Sequence, residues 1–210
     1  MKLWAPWVHG GAVLRLLRLT PEITADTADE ALVQRAQKGE AGAFKALFER
    51  HVVSVRRFLR DLLRNSDKAD DATQETFARA HAQLLKLTFD IRFKPWVLGI
   101  ARNVAFETLR LKEHGAFEEE AAGVPDAVIP SPNPEQVLLD AELRGHFTAA
   151  LEALSPERRA ALLMRVDHGL TYEEIAQTLG WTLQTVKNEI HRARLKLRAS
   201  MLPHLIGESS

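Results

Sequence analysis

The residues best suited to chemistry lie between Thr182 and Met201, where basic side chains recur along one short stretch. Five basic residues stand against a single acidic residue, Glu189, so the stretch carries a formal charge of +4. The basic residues are Lys187, Arg192, Arg194, Lys196 and Arg198. Such side chains neutralise phosphates and release counterions when they bind nucleic acid. Gln184, Asn188 and Arg192 could also hydrogen-bond to base edges. The alternative is an ordinary basic surface helix.

The segment just before this stretch would position its charges. Thr171 and Glu174 have the spacing of a capping box, which begins a helix. Gly180 stands where a tight turn needs a positive φ angle, and Thr182 can cap a second helix. The apolar positions that the two helices would share are Ile175, Leu179, Val186 and Ile190, with the small Ala176 at their crossing. This pattern predicts a helix-turn-helix, whose second helix can enter the major groove of DNA.

A polar helix face forms a second candidate site. Asp71, Gln74 and Glu75 are spaced three and four residues apart, so Asp71 shares a helix face with both of the others. This mainly acidic face would suit a basic protein partner. The residues expected to point inward from the same helix are Ala72, Thr76, Phe77 and Ala80. A solvated helix face without a partner is the simpler alternative.

Aromatic and cationic side chains are concentrated between residues 93 and 103. Pro95 suits the first turn of a helix, and that helix would carry Trp96 and Arg102 beside a short loop. Aromatic rings stack on unpaired bases, and cations hold the strand that carries them. The segment therefore favours a contact with single-stranded DNA as well as with duplex.

The spacing of apolar residues predicts two helical domains and an all-α fold. Four helices are predicted in the first domain: one that begins at Asp29 and is broken or bent at Gly39, and others at about 52–63, 68–85 and 95–110. The second domain is predicted to contain helices at 135–154, 156–167, 171–179 and 182–199. No period-two pattern of useful length indicates a strand.

Three further segments flank these domains. Residues 115–134 contain four prolines and two glycines, and residues 115–142 contain seven acidic side chains but no Lys or Arg. These features predict an acidic, extended linker over 115–134, with a plain flexible tether as the alternative. Residues 1–28 are interpreted as a disordered leader, or as the product of a start codon placed too early, with a membrane-surface helix as the alternative. Residues 202–210 form a tail.

The composition excludes several classes of protein. The chain has no cysteine, which excludes disulfides, thiolate zinc sites and cysteine nucleophiles and fits a reducing compartment. None of the eight histidines forms a metal-spaced pair, and neither a phosphate-binding glycine loop nor a plausible catalytic triad is present. The sequence contains no run of 18 or more apolar residues, so no transmembrane helix is predicted. The sequence therefore predicts a protein that is not an enzyme, with no cofactor, no metal and no stable membrane insertion.

Taken together, these motifs resemble the extracytoplasmic-function group of bacterial RNA polymerase sigma factors. The resemblance covers roughly residues 29–113 and 135–201. In the first domain it includes Leu32, Val33, Gly39, Ala43, Phe44, Leu47, Ala69, Asp71, Gln74, Glu75, Phe77, Trp96, 100–103, Leu109 and Arg110. In the second domain it includes Leu151, 154–156, Arg159, 174–176, 185–187 and 192–194. The order, spacing and proline-rich gap of these pieces make the resemblance specific.

The resemblance implies a role for each domain. Residues 29–114 would form sigma region two, which docks on the coiled coil of the polymerase β′ subunit through Asp71, Gln74 and Glu75. The same region would melt and hold the minus-ten element of a promoter with the loop at 86–93 and with Phe93, Lys94, Trp96, Arg102 and Asn103. Residues 135–201 would form region four, which binds the β flap. Region four would read the minus-thirty-five element with Gln184, Thr185, Lys187, Asn188, His191 and Arg192.

The resemblance also implies partners and a location. The acidic linker would thread through the polymerase and mimic nucleic acid there. An anti-sigma factor would be a further partner. The protein would act in the cytoplasm at the nucleoid, and an anti-sigma factor could hold it at the membrane instead.

Some residues depart from the pattern of this group. Gln184 stands where glycine is common, Trp181 is larger than usual, and Glu189 replaces a position that is often basic or polar. A carboxylate near phosphate is repulsive, so Glu189 is expected to face either cytosine N4 or solvent. These departures leave the promoter sequence open. Two other functions also stay open: a DNA-binding regulator that never joins polymerase, and a pure adaptor whose two domains both bind protein.

Overall fold

The computed structural model describes residues 23–24, 26–87, 91–113 and 145–206 of the 210-residue chain. These residues form eight α-helices and no β-strand, which confirms the predicted all-α class. The first group consists of α1 (Asp29–Gln37), α2 (Ala41–Leu63), α3 (Ser66–Leu84) and α4 (Phe93–Glu113). The second group consists of α5 (145–152), α6 (Pro156–Val166), α7 (Tyr172–Leu179) and α8 (Leu183–Ile206).

The predicted break at Gly39 is confirmed, because this glycine has a φ angle of +84° after the end of α1. Arg35 braces the turn by donating from Nε and Nη2 to the Glu40 carboxylate, at 2.7 and 2.5 Å. The prediction of a separate helix that starts near residue 52 is wrong, since α2 is one continuous helix from Ala41 onward. Its fully buried apolar residues keep a helical spacing along the whole length: Ala43, Leu47, Val55, Phe58, Leu59 and Leu62.

The ends of α3 and α4 follow local signals. The Asn65 side chain accepts a hydrogen bond from the Lys68 backbone amide at 2.8 Å and so caps the start of α3. α3 begins two residues before its predicted start. α4 likewise extends two residues before and three residues beyond its predicted bounds, because the ends of an element are the part that a sequence pattern determines least.

The second group is built around short, capped helices. Ser155 caps α6 and is followed by a proline in the first turn, an arrangement suited to a helix start. α8 is longer than predicted, since it continues past Ala199 to Ile206. For α5, the described residues extend only from 145 to 152, so most of the predicted helix at 135–154 cannot be compared.

One apolar core runs through both groups of helices. Buried residues of α2 and α4, such as Phe58 and Val97, belong to the same cluster as Met164 of α6 and Ile175 of α7. The direct contacts between the groups join α2 to α6, α4 to α6 and α4 to α7. The two domains predicted from the sequence are therefore packed against each other.

Several predicted regions lie outside the described residues. They are residues 1–22 of the leader, the linker at 115–134, the predicted helix start at 135–144, part of the loop at 86–93, and residues 207–210 of the tail. Within the described ranges, none of the helices is both long enough and apolar enough to cross a membrane.

Candidate nucleic-acid interface

The helix-turn-helix predicted from the sequence is present in α7 and α8. Thr171 Oγ1 accepts from the Glu174 amide at 3.1 Å, and the Glu174 carboxylate accepts from the Thr171 amide at 2.7 Å, which completes the capping box. Gly180 has a φ angle of +67° at the turn. Thr182 Oγ1 then accepts from the Thr185 amide at 3.1 Å and caps α8. The predicted shared core is confirmed, since all four positions are buried: Ile175, Leu179, Val186 and Ile190.

The outward face of α8 carries most of the residues predicted to read duplex DNA. Those with exposed side chains are Gln184, Lys187, Asn188, His191 and Arg192. Thr185 is only partly exposed, and its hydroxyl lies 2.7 Å from the Thr182 hydroxyl. Gln184 Nε2 donates to Asn188 Oδ1 at 2.8 Å, so these two amides are ordered against each other one helical turn apart. The exposed face is both basic and rich in hydrogen-bonding groups.

Glu189 does not face solvent, which was one of the two orientations expected from the sequence. One oxygen of its carboxylate, Oε2, accepts from Arg158 Nε at the start of α6, and the other, Oε1, accepts from Arg192 Nη1 at 2.8 Å. Only 15% of the Glu189 side chain is exposed. The hydrogen bond from Arg158, followed by smaller contributions from Arg192, lowers the pKa of the Glu189 carboxyl below its usual range.

The acidic face of α3 is exposed as the sequence predicted. Asp71, Gln74 and Glu75 point outward. The opposite face is buried at the predicted positions Ala72, Thr76, Phe77 and Ala80. Arg79 lies beside this face and pairs with Glu75 at 2.6 Å and with Glu107 of α4 at 2.8 Å. α3 therefore presents a rigid polar surface on a firmly packed helix.

The five residues predicted to contact the minus-ten element differ in how accessible their side chains are. Phe93 is 1% exposed, and its ring packs at centroid distances of 5.2 Å from His51 and 5.8 Å from Trp96. The prediction that Phe93 contacts DNA is therefore wrong for this arrangement, because the ring belongs to the core. Lys94 is engaged as well, since its Nζ donates to the His168 carbonyl at 2.6 Å. Trp96 is half-buried against the core.

Arg102 and Asn103 remain accessible on the outer side of α4. Arg102 Nη1 donates to Asn103 Oδ1 at 3.0 Å, and the guanidinium lies 4.5 Å from the centroid of the Phe106 ring. Burial of part of the side chain lowers the Arg102 pKa from its usual value. These residues line a cleft of about 540 Å³ that Pro156 and Glu157 of α6 close on the other side. The cleft places a cation, an amide and an aromatic ring together.

Several contacts between the two helical groups were not anticipated from the sequence. The Glu174 carboxylate that completes the capping box also pairs with Arg92 at 2.7 Å. Arg159 is 8% exposed and reaches across to the Leu62 carbonyl at 3.1 Å. His168 is 5% exposed, its Nδ1 lies 3.0 Å from Ser54 Oγ, and Nε2 has no hydrogen-bond partner within the described residues. No local pattern of residues could have revealed these pairings.

The buried His168 is expected to make the packed arrangement sensitive to acid. Burial lowers the pKa of His168 from 6.5 to about 4, so the folded chain resists a proton that the unfolded chain binds. The free energy of unfolding therefore has its full value above about pH 6.5, and the part that depends on a neutral His168 is lost as the pH falls towards 4. The same values predict a loss of about 2 kcal/mol at about pH 5, which urea unfolding near pH 7.5 and pH 5 would measure.

The substitution His168→Gln should remove this part of the pH dependence. The exposed His191→Gln is the matched control and should keep the behaviour of the wild type. An unchanged pH dependence in His168→Gln would show that His168 does not govern the acid response.

The fold and the exposed basic helix together define an all-helical, two-domain DNA-binding protein. The model of Sigma-70 region 2 matches residues 47–114, and the model of Sigma-70 region 4 matches residues 145–197. The chain is 31% identical over 178 residues to the RNA polymerase sigma factor CarQ of Myxococcus xanthus, covering 84% of this chain and 96% of CarQ. It is 32% identical over 173 residues to the ECF RNA polymerase sigma-E factor of Escherichia coli, covering 79% and 90%.

The chain belongs to the extracytoplasmic-function (ECF) sigma factors of RNA polymerase, a family of transcription initiation factors rather than of catalytic enzymes. It is also 36% identical over 160 residues to the ECF sigma factor SigE of Mycolicibacterium smegmatis, but the match spans only 61% of that relative.

Two solved structures share the fold. One is the sigma factor RpoE in complex with the anti-sigma factor NepR from Bartonella quintana, with a TM-score of 0.62 and 24% identity over 76% of this chain and 96% of RpoE. The other is CnrH in complex with the cytosolic domain of CnrY, with a TM-score of 0.63 and 24% identity over 87% of this chain and 99% of CnrH.

Proposed function

We propose that this sigma factor binds core RNA polymerase through α3 and directs it to promoters through two separate DNA contacts. The observation that carries the proposal is the exposed basic face of α8, held by a complete helix-turn-helix in a chain whose other domain matches sigma region 2. The face of α3 would supply the polymerase contact, and α4 would supply the contact with the minus-ten element.

The contact with polymerase is assigned to Asp71, Gln74 and Glu75. All three are exposed on a helix whose opposite face is buried, so a partner can dock without disturbing the core. We propose that they engage the coiled coil of the β′ subunit and that the second domain engages the β flap. Complementary charge at such a surface favours a correct and rapid encounter.

The minus-thirty-five contact is assigned to the outward face of α8. Lys187 would neutralise phosphates, and the exposed amides and Arg192 would contact base edges. Lys196 is engaged elsewhere, because its Nζ donates to the Ala153 carbonyl. The partly exposed Thr185 is retained as a phosphate contact, since a hydroxyl near the start of a helix can bind phosphate.

The minus-ten contact is assigned to Trp96, Arg102 and Asn103. Arg102, Asn103 and the Phe106 ring, all on α4, offer a cation, an amide and an aromatic ring to an unpaired strand. Lys94 would join them once its contact with the His168 carbonyl, in the loop between α6 and α7, is broken, as happens when the second group of helices moves away from α4. We therefore propose that the two domains separate when they bind polymerase.

Two weak DNA contacts are sufficient if polymerase holds both domains at a fixed spacing, because the second contact then becomes intramolecular. Unstacking a base costs a few kcal/mol, and stacking on an aromatic side chain returns about 1–3 kcal/mol per base. The balance is close, so contacts with polymerase can decide whether the promoter opens.

Transcription in vitro with core RNA polymerase tests the proposal. The purified full chain should start transcripts from duplex promoters of its own genome, which a DNA-binding regulator that does not join polymerase cannot do. Its inability to start any transcript, with both domains shown to be folded, would contradict the proposal.

The variant Asn103→Asp should reduce initiation from duplex templates by at least about tenfold. It places a carboxylate next to the DNA strand and keeps the acceptor for Arg102, so the fold should be retained. Loss of a phosphate or base contact that contributes about 1.4 kcal/mol or more accounts for this tenfold reduction. Gln83→Glu, an exposed change of the same kind on α3, is the control and should initiate normally.

An anti-sigma factor and a cytoplasmic site of action also belong to the proposal. RpoE, which shares the fold, was solved with the anti-sigma factor NepR. A partner of that class would regulate this chain by keeping it from core polymerase.

A further inference from the structure

The only acidic residue of α8 within residues 183–202 lies between two arginines. Glu189 accepts from Arg192 Nη1 through one carboxylate oxygen and from Arg158 Nε through the other. Arg192 is three residues further along the exposed face of α8, whereas Arg158 belongs to α6. The carboxylate therefore links the DNA-facing arginine to the body of the domain.

This link restricts the orientation of Arg192. An arginine has five N–H donors in a planar fork, and two parallel donors match the O6 and N7 acceptors of guanine. The bond from Nη1 to Glu189 leaves Nε and Nη2 without a hydrogen bond to another described residue. A bidentate edge of the guanidinium is therefore available and already ordered.

A role for Arg192 as a simple phosphate contact fits this geometry less well. Phosphate binding depends on charge and tolerates many side-chain orientations, and a carboxylate beside a phosphate would repel it. In this protein the Glu189 carboxylate lies beside Arg192, and the Arg158 guanidinium offsets its negative charge. The three side chains together therefore carry a net charge of +1. Such an arrangement reduces positive charge at the interface but fixes the direction of one guanidinium, as base readout requires.

We infer that Glu189 is a positioning residue that holds Arg192 for bidentate recognition of one guanine in the minus-thirty-five element. The inference rests on the proposed function and adds the base type and the residue that orients its reader. Arg158 completes the arrangement, because it fixes the carboxylate from the neighbouring helix.

The test uses the full chain bound to core RNA polymerase and a promoter library. The library keeps the minus-ten element of a promoter that the wild type transcribes and randomises the minus-thirty-five element. Sequencing of the transcribed templates gives the base preference at each position. Glu189→Gln should lower the guanine preference at one position by about tenfold and leave the other positions unchanged.

Three variants sharpen the assignment. Arg192→Ala should abolish the preference at the same position, and Arg158→Gln should lower it by a smaller factor. Glu173→Gln removes an exposed acid from α7 and should leave every position unchanged. Glu189→Gln should also bind non-specific duplex more tightly and with a steeper salt dependence, because two guanidinium groups are released towards phosphate.

An unchanged preference at every position in Glu189→Gln would overturn the inference, and so would an equal loss at all positions, which indicates a purely structural role. Both outcomes leave the proposed function standing, because the wild type still selects promoter sequences. A wild-type protein that selects no sequence with core polymerase would overturn the proposed function together with the inference.

Discussion

Reversing the charge at Asp71 is expected to abolish binding of core RNA polymerase while the protein stays folded. Asp71 is exposed on α3, and the buried side of that helix is formed by other residues, so the substitution Asp71→Arg changes the surface alone. Loss of a charge pair at a protein interface costs about 2–5 kcal/mol, and repulsion from a basic partner adds to it. The dissociation constant should therefore rise by at least about 30-fold.

A pull-down with core polymerase, supported by a titration, measures this effect. Glu173→Arg makes the same change in charge at an exposed position of α7 and should bind polymerase like the wild type. Equal thermal unfolding of both variants would show that the fold is intact. Normal polymerase binding by Asp71→Arg would remove the α3 face from the proposed interface.

The helix-turn-helix could be predicted from the sequence because its signals are local. A capping box spans four residues, a turn needs one glycine, and a cap needs one threonine, so each signal acts over a few positions. The structure confirms Thr171, Glu174, Gly180 and Thr182 in these roles. The buried and exposed sides of α3 were predictable for the same reason, since they follow from helical spacing alone.

The contacts that join distant segments could not be predicted in this way. Phe93 looks like a DNA-contacting aromatic in the sequence, and only the packing of His51 against it shows that it belongs to the core. Glu189 looks like a solvent-exposed acid until Arg158, which is 31 residues earlier in the chain, is brought next to it. Pairing across such separations depends on the tertiary fold, which spacing and composition do not specify.

The fold itself should depend strongly on Arg159, and Arg159→Leu is expected to lower the free energy of unfolding by about 3–5 kcal/mol. The guanidinium donates to the carbonyls of Leu62, Leu151, Glu152 and Leu154 at 3.0–3.3 Å. These carbonyls lie at or just beyond the ends of α2 and α5, where a helix leaves its last acceptors unpaired. Each buried carbonyl that loses its donor costs about 1–3 kcal/mol, less where water can enter.

The conservative variant Arg159→Lys separates the effect of charge from that of geometry. Burial lowers the Arg159 pKa from its usual value, which shows that the cation is held in place at the expense of its hydration. A lysine would keep the charge near the ends of both helices, but its three donors share one nitrogen and cannot span four carbonyls. Urea unfolding near neutral pH should therefore place Arg159→Lys between the wild type and Arg159→Leu. Full stability in Arg159→Lys would assign the effect to charge alone. Full stability in Arg159→Leu would show that the four carbonyls find other hydrogen-bond donors, such as water.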